Sequence, residues 1–201
     1  MNAILFAFLL FFTSISVNKQ ITAMEAVVAN PGTADHQTML KICFGDHFDI
    51  KGITEGVHKL KAAVLRVTDV YEAAMPAGVK AKTSDGGTAA ATIRFGPDFY
   101  DGKKTSDDGR IGTLLHEASH YVMGTWDYFT KPDKKPIQKT EYNKDPSANL
   151  SGYMPADYHD LKAGGFTGMH TNADSWKSFG FYALHGRPHN NMDPSTMRKV
   201  P

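Results

Sequence analysis

The most informative part of the chain is the stretch RIGTLLHEASHYVMGTWD, residues 110–127. Ser106 and two aspartates precede it, and this pattern is typical of a helix N-cap and first turn. Gly124 is typical of a residue that closes a helix. We therefore predict a helix that begins after Ser106 and ends before Gly124. His116 and His120 are four residues apart, so they lie on one face of this helix.

The pattern HEASH, residues 116–120, places side chains where zinc chemistry needs them. Two imidazoles at this spacing can bind one zinc ion, and Glu117 can contact a zinc-bound water. Zinc lowers the pKa of that water toward ~7, so a carboxylate can take its proton during attack on a peptide carbonyl. Chance HExxH matches do occur. Here a predicted strand at residues 90–95 precedes the helix, which is the layout that zinc peptidases use.

A catalytic zinc site needs a third protein ligand, and the residues themselves leave two candidates. The metzincin arrangement fails because Met123 and Trp126 stand where it needs glycine and histidine. A gluzincin would use a later glutamate, and the chain offers Glu141, in a segment rich in lysine and proline. Asp127 follows a glycine turn that can fold the chain back under the helix. We expect Asp127 to be the ligand and keep Glu141 as the alternative.

Other segments of the chain predict further helices and a loop. Together with the predicted strand they indicate an α+β fold. Apolar residues at three- and four-residue spacing predict a helix over residues 55–75. A second helix is predicted over residues 173–184 and closed by Gly186, and residues 129–152 read as a long polar surface loop. The residues that carry the spacing in the first of these helices are Val57, Leu60, Val64, Val67 and Tyr71.

Composition and the N-terminus limit the class of protein. The 201 residues fit one domain at 24–201, and a net charge of +1 gives no reason to expect a nucleic-acid partner. The apolar run at residues 3–12 is short for a bilayer span and is typical of a signal peptide, predicted here at residues 1–23 with cleavage after Ser16 or Ala23. The alternative is a buried strand or helix at the N-terminus. We therefore expect a secreted monomer without a stable membrane span. Its single cysteine, Cys43, excludes an intrachain disulfide and is expected to be buried.

Three motifs in order resemble the aspzincins, the family of deuterolysin and peptidyl-Lys metalloendopeptidases. They are HEASH at 116–120, GTWD at 124–127 and NADSW at 172–176. The resemblance covers roughly residues 43–182. It implies a zincin-like fold, in which an active-site helix packs on a small sheet beside a cleft that holds zinc. It also implies zinc ligation by His116, His120 and Asp127, with Glu117 as the general base.

The resemblance further implies a tyrosine that donates a hydrogen bond to the oxyanion of the tetrahedral intermediate. The family's tyrosine stands three residues after the aspartate ligand, where this chain has Thr130. Reading residues 129–152 as an insertion moves the tyrosine to Tyr153, which we favour over Tyr128. If neither tyrosine has this role, full catalytic activity is in doubt.

Asp174 is the substrate-binding residue that the resemblance implies. Lys-specific members hold a substrate lysine with an aspartate here and a glutamate three residues later, but this chain has Lys177 at the second position. A cation there opposes a cationic substrate side chain, so strict lysine specificity is not expected. Asp174 also suits the N-terminus of a helix as a favourable acid.

We therefore expect a zinc metalloendopeptidase that hydrolyses a protein or peptide substrate. The rival from another class is a secreted, toxin-like zinc-binding protein whose metal is a structural staple. The displaced tyrosine is the feature that favours this rival.

Overall fold

The computed structural model describes residues 3–63, 70–130, 136–138, 160–163 and 165–188. The helices in this part of the chain are α1 (Ala3–Ala29), α2 (Ala34–Phe44), α3 (Ile50–Ala63), α4 (Pro97–Tyr100), α5 (Asp107–Met123) and α6 (Ala173–His185). A 3-10 helix covers Met169–Thr171, and residues 160–163 are helical. The strands are β1 (Val70–Tyr71), β2 (Ala81–Ser84), β3 (Thr92–Phe95), β4 (Tyr128–Thr130) and β5 (Pro136–Gln138). The predicted α+β class is confirmed.

The larger sheet has three strands in the order β1-β3-β2. The central strand β3 pairs in parallel with β1 and antiparallel with β2. Side chains of β3 alternate, so that Ile93 and Phe95 are buried while Thr92 and Arg94 are exposed. The strand predicted at residues 90–95 is thus confirmed, with a start two residues later. The sheet carries β2 at an edge, next to α5.

Helix α5 packs against helices and strands of the core. The Ser106 hydroxyl accepts a hydrogen bond from the Gly109 N–H at 3.1 Å, and Gly124 ends the helix with φ 63°. Both predicted ends are therefore confirmed. The helix contacts α1, α3, α6, β2 and β3, with Leu114 and Leu115 fully buried. Cys43 is buried in the same core as predicted, and burial raises the pKa of its thiol to about 12.

The helix predicted over residues 55–75 has different ends. It begins at Ile50, because the side chain and carbonyl of Asp49 accept hydrogen bonds from the first turn of α3. Residues 64–69 of the predicted helix, which include Val64 and Val67, lie outside the described residues. Residues Val70–Tyr71 pair with β3 as strand β1, so the helical prediction was wrong there. Valine and tyrosine favour strands. The pairing of these two residues with β3 outweighs the three- and four-residue spacing that predicted a helix. The helix predicted over residues 173–184 is confirmed as α6, with Gly186 at φ 66°.

The polar segment at residues 129–152 is not a plain loop at its start. Strands β4 and β5 form a two-stranded antiparallel sheet with Phe129 opposite Ile137. Aromatic and β-branched residues in YFT, residues 128–130, favour a strand over a loop. Residues 131–135 and 139–152 of the predicted loop lie outside the described residues.

The N-terminal helix contributes to the core along one face. Its buried apolar residues recur at three- and four-residue spacing and contact α3, α5 and α6. They are Val17, Ile21, Met24, Val27 and Val28. Residues on both sides of the predicted cleavage point after Ala23 therefore belong to one packed face. None of the helices within the described ranges has the length and apolar character that a bilayer crossing requires.

This packing predicts where the chain can be shortened. A chain that begins at Val17 keeps the five buried apolar residues of α1 and should unfold at a higher urea concentration than a chain that begins at Met24. A chain that begins at Met24 loses two fully buried side chains, Val17 and Ile21, which should cost at least ~3 kcal/mol. That loss is a large part of a typical stability of ~5–15 kcal/mol. Urea unfolding of the two chains measures the difference, and equal midpoints would contradict the prediction.

Candidate metal centre

Two histidines and one aspartate converge at the C-terminal end of α5. The Nε2 atoms of His116 and His120 are 3.1 Å apart. Asp127 Oδ1 lies 3.1 Å from His116 Nε2 and 3.3 Å from His120 Nε2. Tetrahedral zinc, with ligand distances of ~2.0–2.1 Å, separates its ligand atoms by about 3.3 Å. The three donor atoms thus have the spacing of one face of a small tetrahedral metal site, and the donor set fits a first-row transition metal better than Ca²⁺.

The turn after α5 brings Asp127 to the histidines. Gly124 adopts the left-handed conformation that lets the chain reverse, which a residue with a side chain adopts only at a cost. The following residues then run beside the start of α6. The Trp126 N–H donates to the Thr171 carbonyl at 2.8 Å, and the Ala173 N–H donates to the Trp126 carbonyl at 3.0 Å. These two backbone hydrogen bonds hold the GTWD and NADSW segments together.

Neighbouring acceptors orient both imidazoles. His120 Nδ1 lies 2.6 Å from the Thr125 carbonyl, and His116 Nδ1 lies 3.2 Å from Asp174 Oδ1. A carbonyl and a carboxylate only accept hydrogen bonds, so each Nδ1 carries the proton in these contacts. The two Nε2 atoms, 3.1 Å apart, are then the ring nitrogens that could ligate one ion once they are deprotonated. Carboxylate or carbonyl partners behind the ligands are usual for histidines that bind metals.

The site is strongly charged when it holds no metal. Burial disfavours the charged imidazolium of His116, but the carboxylates of Asp174 and Asp127 outweigh this effect and raise its pKa to about 10. Burial alone would raise the pKa of Asp127, yet the contacts with His116 and His120 hold it well below its usual range. Burial also opposes ionisation of Asp174, and His116 overcomes it in the same way and lowers the pKa of Asp174.

Glu117 lies next to the histidines and is 6% exposed. Its Oε2 atom is 2.7 Å from the hydroxyl of Thr83 in β2. The carboxylate is therefore held by the sheet, while the histidines are held by the loop after α5 and by α6. Thr83 was not among the residues that the sequence indicated, because no local pattern marks a contact between residues 34 positions apart.

The other predicted residues have different outcomes. Asp174 contacts His116, so the structure places it behind a candidate ligand. The Tyr128 ring packs on Phe166, with ring centroids 4.7 Å apart, and its hydroxyl lies 3.4 Å from the Thr171 hydroxyl. Tyr153 and Glu141 lie outside the described residues, so the choice of oxyanion donor and the alternative third ligand remain predictions.

Substitution of the candidate third ligand tests the metal centre. Asp127→Ala removes one of the three converging donors and should weaken zinc binding by more than about 100-fold, since even outer-shell partners of zinc ligands contribute ~10–100-fold. Glu141→Ala is the matched control and should leave zinc binding unchanged. Competition with a chromophoric chelator measures both affinities. The reverse result, with zinc lost in Glu141→Ala and kept in Asp127→Ala, would assign the third ligand to Glu141.

The raised pKa of His116 makes zinc binding dependent on pH. At pH 7 the metal-free protein carries His116 as imidazolium, since its pKa is about 10. Zinc needs the neutral ring, so binding should release about one proton and the affinity should rise with pH. Calorimetry in two buffers of different ionisation enthalpy measures the protons released. Asp174→Asn should release fewer protons, because one of the carboxylates that raises this pKa is lost, and the exposed Asp108→Asn should not differ from the wild type.

Comparisons of this chain with protein-family models, with curated proteins and with solved structures find no match. What can be inferred about the site therefore follows from the chemistry and the positions of its own residues.

Proposed function

We propose that this chain is a secreted zinc endopeptidase with a zincin-like active site of the aspzincin type. The observation that carries the proposal is the spacing of the three donor atoms, 3.1–3.3 Å, together with the buried Glu117 that follows His116 in α5. Helix α5, packed against a small sheet, supplies two of the ligands and the carboxylate. The substrate class is a protein or peptide, and the reaction is hydrolysis of a peptide bond.

The residues fit zinc as the resident ion. His116, His120 and Asp127 would hold it, and three protein ligands is the number that catalytic zinc sites use. When bound, zinc supplies a Lewis acid that polarises a carbonyl and lowers the pKa of a coordinated water. Two histidines and one carboxylate also bind non-haem Fe(II). The experiment that tests the proposal therefore includes an analysis of the bound metal.

The side chains of the chain itself supply the proton transfers. Glu117 is the general base: its carboxylate accepts a proton from the attacking water and passes it to the leaving amine. Burial of Glu117 and its hydrogen bond with Thr83 limit the motion of the carboxylate. Asp174 holds His116 in one ring orientation and offsets the positive charge of the site. A tyrosine, for which Tyr153 is the candidate, donates to the oxyanion.

The decisive experiment compares the wild type with Glu117→Ala. Metal analysis should give about one zinc per chain in both proteins, because Glu117 is not a ligand. Cleavage of casein and of a peptide library should fall by ~10²–10⁴-fold in the variant, the usual contribution of a general base. Cleavage products from the library give the preference on the C-terminal side of the scissile bond.

The rival function is a secreted zinc-binding protein with no catalysis. Thr130, at the position of the family's tyrosine, is the feature that favours it. About one zinc per chain without cleavage of any substrate in the wild type would support this rival. Absence of zinc from both proteins would overturn the metal centre itself.

A further inference from the structure

Thr83 connects the edge strand of the sheet to the carboxylate of Glu117. Its hydroxyl oxygen is 2.7 Å from Glu117 Oε2 and 3.1 Å from the Glu117 carbonyl oxygen. A hydroxyl has one proton to donate, and the closer, charged carboxylate is the stronger acceptor. The hydrogen bond therefore restrains the orientation of the Glu117 carboxylate through Oε2.

Contacts with β3 and with α5 hold strand β2 in place, so the Thr83 hydroxyl has a defined position. Thr83 is paired with Ile93 of β3, which is 2% exposed. The loop after β2 is attached to the end of α5, where the Gly87 N–H donates to the Tyr121 carbonyl at 3.0 Å. Gly86 lies so close to α5 that a Cβ there would be 2.4 Å from the His120 carbonyl oxygen. Sheet and helix thus hold Thr83 against Glu117 from both sides.

We propose that Thr83 is a positioning residue for the reaction: its hydroxyl orients the Glu117 carboxylate toward the attacking water. This inference rests on the proposed peptidase function. Strand formation alone does not require the hydroxyl, because valine has the same shape and favours strands at least as well. The substitution Thr83→Val therefore separates the hydrogen bond from the fold.

Steady-state kinetics test the proposal with a matched set of variants. Thr83→Val should lower kcat by about 10–100-fold, the usual effect of losing an outer-shell partner, with KM within about twofold of the wild type and zinc content unchanged. Thr83→Ser keeps the hydroxyl and should restore most of kcat. Thr92→Val makes the same change at an exposed position of β3 and should behave as the wild type. Thr83→Ala replaces Thr83→Val if the latter fails to fold.

Crystal structures of the zinc-loaded proteins give a readout that does not depend on turnover. The Glu117 carboxylate should have the same orientation in the wild type and in Thr83→Ser. In Thr83→Val it should adopt a different orientation. An unchanged Glu117 in Thr83→Val, or a kcat of Thr83→Ser as low as that of Thr83→Val, would overturn the inference. If the wild type binds zinc and cleaves nothing, the proposed function fails and this inference fails with it. If the wild type cleaves substrate and Thr83→Val has the kcat of the wild type, the inference alone fails.

Discussion

The reversal of the chain at Gly124 brings Asp127 back against the two histidines, and the rest of the site depends on it. A helix can present His116 and His120 on one face, but a third ligand must come from outside that helix. The left-handed glycine starts the return, and the backbone bridge between Trp126 and Asn172 fixes its direction. That bridge ties the ligand to α6, whose packing on α5 is part of the core. The position of Asp127 is therefore set by the fold as a whole.

The charges around the histidines explain why a divalent cation suits this place. Asp127 and Asp174 both lie against His116, at 3.1 and 3.2 Å, and both are largely buried. Buried carboxylates are costly unless an opposite charge compensates them. Under the proposed function, a divalent cation bound by neutral imidazoles would balance the two negative charges. The same two carboxylates favour the protonated ring and raise the pKa of His116 against the effect of burial.

The sequence predicted those features that depend on neighbours along the chain. The ends of α5 and α6 follow from Ser106, Gly124 and Gly186, because capping is a local interaction. Strand β1 and the contribution of α1 to the core depend on pairing and packing between distant segments, so periodicity did not reveal them. The same reason applies within the site. The contact of Asp174 with His116 joins residues 58 positions apart and arises from the packing of α6 on α5.

Two separate elements of the fold, the three-stranded sheet and α6, hold side chains of the site in place. The sheet fixes Glu117 through Thr83, and α6 fixes His116 through Asp174. A movement of either element relative to α5 would break one of these hydrogen bonds, so the carboxylate and the ligand keep their mutual geometry only while the core is intact. Such a frame is pre-organised, because its dipoles are oriented before a substrate binds. Packing far from the metal centre, including the buried face of α1 against α5 and α6, therefore contributes to the geometry on which the proposed chemistry depends.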